Sequence, residues 1–126
     1  MVTVQQRQNR PVVLVVEDEP LALMGAVDLV TEAGYEALSA RNADEAMVIL
    51  ERRDDVRVIF TDVSMPGSMD GLRLAHAVRD RWPPIEIIVT SGLKLRGEQQ
   101  LPERGIFLPK PYTAGQIAGA LRCFAA

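Results

Sequence analysis

The sequence predicts an α/β fold of the (βα)₅ type, in which one parallel five-stranded sheet carries helices on both faces. Short apolar segments alternate along the chain with amphipathic segments of helical period. The first apolar segment, Val12–Val16, is an unbroken β-branched and leucine run, typical of a strand buried on both faces. The 126 residues, 48% of them hydrophobic, are enough for one domain with its own core.

Five strands are expected, each from a short apolar segment that ends at charged, small or turn-forming residues. The predicted strands are Val12–Val16, Tyr35–Ala40, Val58–Thr61, Ile85–Thr90 and Gly105–Leu108. Right-handed crossovers are expected between successive parallel strands.

The segments between the strands have the spacing and end signals of helices. Pro20 suits a first helical turn, and Gly34 suits the residue after a last one. Asn42 and Glu45 have the spacing of a capping box. The predicted helices are Leu21–Ala33, one that begins after Asn42 with Ala43, Ala46, Met47 and Leu50 on one face, Gly71–Arg81 with Leu72, Ala75 and Val78 inward, and Thr113–Phe124 with Ile117, Ala120 and Leu121 on one face.

The segment Leu93–Arg104 predicts a short or irregular fourth helix. Alternation of strands and helices requires a helix here. Gly97 and Pro102 interrupt the segment, however, and its apolar stripe is thin.

Composition and charge exclude several classes of protein. The chain has 14 basic and 17 acidic residues and a net charge of −3, so it lacks the basic surface of a nucleic-acid-binding protein. The single cysteine, Cys123, excludes an internal disulfide. No apolar run approaches the ~18–20 residues of a membrane span. The polar N-terminal extension, residues 1–10, lacks an apolar signal core, so we expect a cytoplasmic protein without a membrane partner.

Charged and hydroxyl side chains follow the predicted strands at the edge where such sheets carry their sites. Glu17 and Asp18 follow the first strand, and Asp62 follows the third. Thr90 ends the fourth strand, and Lys110 follows the fifth. Three clustered carboxylates repel one another, and Mg²⁺ would relieve this repulsion. Asp62 could then attack phosphorus as a nucleophile, with Lys110 and Thr90 donating to the phosphoryl oxygens.

Four motifs together resemble the receiver domain of two-component response regulators. They are VVLVVEDEP, TDVSMPGSMDG, IIVTSG and FLPKPY, and they occur in the family's order and at its spacing. The resemblance covers residues 11–126 as one receiver domain. It implies a flavodoxin-like, doubly wound sheet with strand order 2-1-3-4-5.

The resemblance also implies a role for each matching residue. Asp62 matches the aspartate that takes a phosphoryl group from a histidine kinase or a histidine phosphotransfer protein. Glu17 and Asp18 match the acidic pair that binds Mg²⁺ together with Asp62, and the backbone carbonyl of Ser64 matches the remaining protein ligand. Glu17 departs from the family, since many receivers have Asp at this position.

Three further positions match the switch machinery of receivers. Thr90 matches the hydroxyl that turns toward the phosphoryl group, and Lys110 matches the lysine that pairs with it. Phe107 matches the aromatic switch residue, although a core role is the simpler interpretation of a Phe in a strand. The Lys110–Pro111 bond matches a cis peptide of the family. The loop after Asp62 is one residue longer than the common form.

The expected function is that of a stand-alone, single-domain response regulator. Phosphorylation of Asp62 would control protein binding or onward phosphotransfer, in a monomer or a homodimer. Apart from this self-catalysed transfer and autodephosphorylation, no enzyme activity is expected. Three alternatives stay open: a docking module independent of phosphorylation, the receiver fragment of a larger regulator, and a Mg²⁺-dependent phosphatase, for which the chain lacks a cap.

Overall fold

The computed structural model of the chain describes residues 11–63, 70–92 and 101–125. Five strands and four helices lie in these residues. The strands are β1 Val12–Val16, β2 Glu36–Ala40, β3 Val56–Asp62, β4 Glu86–Ser91 and β5 Gly105–Pro109. The helices are α1 Pro20–Glu32, α2 Ala43–Arg52, α3 Gly71–Arg81 and α4 Ala114–Ala125.

The strands form one parallel sheet in the order β2-β1-β3-β4-β5. This order confirms the predicted doubly wound, flavodoxin-like arrangement. In the register of β3 and β4, Asp62 lies opposite Thr90. The carboxyl ends of β1 and β3 are therefore neighbours in the middle of the sheet, and the end of β4 lies beside them.

The two faces of the sheet are covered by different helices. Successive residues of β1 point to opposite faces, so Leu14 belongs to one core and Val15 to the other. Buried residues of α2 and α3, such as Leu50 and Leu74, complete the first core. Val30 of α1 and Ile117 of α4 belong to the second core. Every residue of β1 is buried, as its continuous apolar run predicts.

Side chains that accept backbone hydrogen bonds fix the helix starts. Glu19 caps α1 by accepting from two amides, and Pro20 occupies the first turn, as predicted. Asn42 caps α2 by accepting from the amide of Glu45 at 2.8 Å. The Glu45 carboxylate accepts from the amide of Arg41, so the predicted capping box forms in a modified version.

The predicted faces of α2 and α4 are confirmed, since Met47 and Ala120 pack, half-buried, against the cores that their helices cover. One detail of the helix predictions differs from the structure. In α3 the fully buried leucine is Leu74, whereas Leu72 lies on the flank of the helix and is half-buried. One residue of helix turns the chain by about 100°, so such flanking positions are hard to assign from sequence.

Three predictions fall on residues outside the described part of the chain. One is the longer loop after Asp62, of which residues 64–69 lie outside. The N-terminal extension, residues 1–10, lies there in full. Of the predicted short or irregular fourth helix, residues 93–100 also lie outside. Residues 101–104 form a bend and a turn, in which Arg104 has a positive φ of 62°.

Candidate functional site

Three carboxylates meet at the carboxyl edge of the sheet. Glu17 and Asp18 follow β1, and Asp62 is the last residue of β3. One oxygen from each of the three side chains lies within 4.8 Å of the others. Glu17 and Asp62 are each only 6% exposed, so two of the three acids are shielded from solvent.

Lys110 supplies positive charge to this cluster. Its Nζ lies 3.1 Å from Oδ2 of Asp62 and 3.3 Å from Oε2 of Glu17. The residue follows β5, and its backbone amide donates to the carbonyl of Ser91. The Lys110–Pro111 peptide bond is cis, as the sequence resemblance implies. Lys110 is thus a bridge between the acids that end β1 and β3.

The electrostatics of the site centre on Glu17. Burial raises the pKa of its carboxyl from 4.5 to about 7, and the hydrogen bond and negative charge of Asp62 act in the same direction. The amide of Glu19 and the charge of Lys110 oppose this rise in pKa. For Lys110 itself, burial lowers the pKa, but the hydrogen bonds and charges of Asp62 and Glu17 together raise it above its ordinary value.

Thr90 lies beside Asp62 with its hydroxyl unused. Its side chain is buried, and Oγ1 has no hydrogen-bond partner among residues 11–63, 70–92 and 101–125. A buried hydroxyl without a partner costs free energy, so this atom has unused capacity to donate to a group bound at the carboxyl edge. The carbonyl of Thr90 accepts from the amide of Val63, which connects β4 to the residue after Asp62.

Two predicted site residues, Phe107 and Ser64, lie outside the contacts described above. Phe107 of β5 lies opposite Val89 of β4 and packs, half-buried, against the core that α2 and α3 cover. The structure therefore gives Phe107 a core position, and its switch role stays a prediction. Ser64 lies outside the described residues, so its predicted carbonyl contact stays a prediction as well.

Tyr112 lies at the border of the site and was not among the predicted site residues. Its ring packs edge-on against Phe60, with ring centroids 5.4 Å apart. Burial raises the pKa of its hydroxyl. Tyr112, Lys110 and Pro111 line one side of a groove of about 700 Å³, which α1 borders on the other side through residues such as Gly25. The aromatic residue that directly follows Lys110-Pro111 was the available signal.

The donor set fits a hard divalent cation. Carboxylate oxygens are the protein ligands that such cations prefer, and three of them converge here. Among the described residues, the ammonium group of Lys110 contacts two of the three carboxylates. Burial, with the hydrogen bond and negative charge of Asp62, raises the pKa of Glu17, and a bound cation would counter this rise. The acidic cluster is therefore compatible with a metal site.

Within residues 11–63, 70–92 and 101–125, no helix combines the length and apolarity needed to cross a bilayer.

Comparison with known protein families identifies the chain. Residues 13–122 match the family model of the response regulator receiver domain. The chain belongs to this family, and it is the receiver domain of a response regulator in a two-component system. Receiver domains pair with histidine kinases and are not classical enzymes.

Individual relatives agree with the family. The nitrogen assimilation regulatory protein NtrX of Azorhizobium caulinodans is 31% identical over 110 residues, which cover 83% of this chain and 24% of NtrX. The sensor histidine kinase RcsC of Escherichia coli K12 is 29% identical over 116 residues, covering 90% of this chain and 12% of RcsC. The chain thus spans a quarter or less of these relatives.

A solved structure supports the fold. The response regulator receiver protein from Sinorhizobium medicae WSM419 superimposes with a TM-score of 0.85 at 22% identity. The superposition covers 93% of this chain and 95% of that protein.

Proposed function

We propose that the chain accepts a phosphoryl group on Asp62 from a histidine kinase or a histidine phosphotransfer protein. One observation carries the proposal: the Asp62 carboxylate lies within 4.8 Å of two further carboxylates and 3.1 Å from an ammonium group. A nucleophilic oxygen, a cation-binding set and a fixed positive charge are the components that phosphoryl transfer to a carboxylate requires.

In the proposed step, a carboxylate oxygen of Asp62 attacks the phosphorus of a phosphohistidine. A P–O bond forms and the P–N bond breaks, and the histidine nitrogen keeps the electron pair. Lys110 already donates to Asp62, so its ammonium group is in reach of the oxygens that gain charge during transfer. The hydroxyl of Thr90, which has no hydrogen-bond partner in the described part of the chain, is a second donor beside Asp62.

Mg²⁺ is the proposed cofactor, and it would supply positive charge to the carboxylates and to the incoming phosphoryl oxygens. Glu17, Asp18 and Asp62 would hold it, and the carbonyl of Ser64 is the proposed fourth protein ligand. Glu17 is one methylene longer than the Asp of many receivers, and its carboxylate would supply negative charge to the same cation.

The phosphorylated chain would pass its signal on to partner proteins. We propose a single-domain regulator in the cytoplasm that loses the phosphoryl group by autodephosphorylation. Phosphorylation would shift an equilibrium between two conformations, with Thr90 and Phe107 as its switch residues, and partner proteins would bind one of them. The sequence relatives are larger proteins, so an attached output domain is the competing arrangement.

The test is intact mass spectrometry after incubation with acetyl phosphate and Mg²⁺. Wild type is expected to gain one phosphoryl group in a Mg²⁺-dependent reaction. Asp62→Asn lacks the nucleophilic oxygen and is expected to gain none. Asp80→Asn is the matched control, since Asp80 is an exposed aspartate on α3 and is expected to leave labelling unchanged.

Beryllofluoride binding separates the remaining outcomes. A folded wild type that shows no adduct but binds beryllofluoride with Mg²⁺ hydrolyses its aspartyl phosphate too fast for detection, which keeps the proposal. Absence of both the adduct and the beryllofluoride complex would reject it in favour of a phosphorylation-independent docking module. Repeated turnover of small phosphate esters would instead indicate a phosphatase.

A further inference from the structure

Gly71, the first residue of α3, lies directly against the backbone of Asp62. A Cβ atom built on Gly71 falls 1.6 Å from the carbonyl oxygen of Asp62 and 2.8 Å from Oγ1 of Thr61. Real Cβ atoms essentially never come within 3.0 Å of another heavy atom. Position 71 therefore has space for glycine alone, and any side chain there has to displace α3 or the end of β3.

Hydrogen bonds fix the same stretch of backbone from three directions. The amide of Gly71 donates to the carbonyl of Val63 at 2.9 Å, and the amide of Val63 donates to the carbonyl of Thr90 at 2.9 Å. The hydroxyl of Thr61 donates to the carbonyl of Asp62 at 3.1 Å. The peptide units of Asp62 and Val63 are thus held by β4, by α3 and by the preceding side chain.

The start of α3 is itself well anchored. Asp70 caps the helix by accepting from the amide of Arg73 at 2.8 Å. Leu74, Ala75 and Val78 are fully buried and attach the helix to the sheet. Because close-packed interiors resist displacement, a side chain at position 71 cannot be accommodated by moving α3 alone.

We propose that Gly71 is a positioning residue for the Asp62 carboxylate, with the hydroxyl of Thr61 as its second support. This inference rests on the proposed function of Asp62. Close contact between α3 and the Asp62 backbone holds the carboxylate at its 3.1 Å distance from Lys110 and near Glu17 and Asp18. A displacement of about 1 Å can cost up to about 100-fold in rate when reacting groups are held in place by their surroundings.

The experiment compares labelling rates with acetyl phosphate at saturating Mg²⁺ for Gly71→Ala and two matched controls. Gly119→Ala places the same methyl group on a helical glycine of α4, where the nearest atom to the new Cβ is an Arg122 side-chain nitrogen at 3.9 Å. Leu50→Ala removes buried volume from α2, outside α3 and the site, and controls for lost stability. All rates are measured under conditions in which circular dichroism shows each variant to be folded.

Gly71→Ala is expected to label roughly 10- to 100-fold more slowly than wild type. Gly119→Ala and Leu50→Ala are expected to label at wild-type rate, although Leu50→Ala loses stability. Equal rates for Gly71→Ala and wild type would overturn the inference. A slowing of Leu50→Ala as large as the slowing of Gly71→Ala would also overturn it, because the effect would then reflect lost stability alone.

Substitutions of Thr61 decide the question if Gly71→Ala does not fold. Thr61→Val keeps the shape and removes the hydroxyl, so it is expected to slow labelling, whereas Thr61→Ser keeps the hydroxyl and is expected to restore it. Equal rates for these two variants would overturn the inference. If wild type neither gains a phosphoryl group nor binds beryllofluoride, the proposed function fails, and Mg²⁺ titration of the Gly71 and Thr61 variants then tests the position of Asp62.

Discussion

Glu17→Gln is expected to lower the free energy of unfolding at low pH and to raise it at high pH. The pKa of the Glu17 carboxyl is about 7 in the folded chain, whereas its usual value is 4.5. The folded state therefore binds this proton more tightly than the unfolded state does. Its contribution to stability is complete below pH 4.5 and is lost as the pH rises through about 7.

The magnitude follows from the two pKa values. Each pH unit between them is worth about 1.36 kcal/mol, so ionising Glu17 costs the folded state roughly 3 kcal/mol. Gln stays neutral, but its amide nitrogen cannot accept the 3.3 Å hydrogen bond from Lys110. That loss costs about 1 kcal/mol at any pH at which Lys110 is charged.

We therefore expect Glu17→Gln to be about 1 kcal/mol less stable than wild type near pH 4, about equally stable near pH 5 and about 2 kcal/mol more stable near pH 8. The assay is urea unfolding at pH 4 and pH 8 in EDTA, which removes divalent cations. Glu32→Gln is the control, since Glu32 is exposed at the end of α1 and lies outside the acidic cluster. A stability difference between Glu17→Gln and wild type that stays constant from pH 4 to pH 8 would contradict this expectation.

Two further predictions concern the same edge of the sheet. Thr90→Val removes a buried hydroxyl with no partner in the described residues, so urea unfolding is expected to show a gain of about 1 kcal/mol. Thr113→Val is the control, since it removes a hydroxyl that accepts from the amide of Gln116, and it is expected to lose about 1 kcal/mol of stability. A loss of stability in both variants would contradict the interpretation of Thr90. Mg²⁺ is expected to raise the Tm of wild type more at pH 8 than at pH 6, because Glu17 must lose its proton to bind a cation. A Tm increase in Asp62→Asn as large as in wild type would show that Mg²⁺ binds elsewhere.

The sheet could be predicted because its strands have strong local signals. Val12–Val16 is the clearest example, since its unbroken apolar run specifies burial on both faces, and all five residues are buried. The bounds predicted for α3 match the structure, because Gly71 follows the capping Asp70 and two prolines follow the helix. The buried leucine of α3 was misassigned. Around the helix axis, Leu72 and Leu74 lie on opposite flanks of Ala75, and only packing against the sheet selects which of them is buried.

The residues of the candidate site could be predicted from the sequence, but the distances between them could not. Strand ends of a parallel sheet meet at one edge, so the order of elements was enough to bring Glu17, Asp62 and Lys110 together. The distances of Lys110 from the two acids depend on the register of β5 against β4, which is set by long-range pairing. The raised pKa of Glu17 depends on burial by segments far away in the sequence, so it carries no local signal.

The sequence by itself determined the class of fold, the residues that meet at the carboxyl edge and the family of the protein. These features arise from hydrophobic period, from chain order and from side-chain chemistry, all of which are local properties. Only the packed structure shows that the Thr90 hydroxyl has no hydrogen-bond partner among the described residues and that Gly71 must lack a side chain. Both depend on atoms of separate elements approaching within a few ångströms, and only the packed chain brings those elements together.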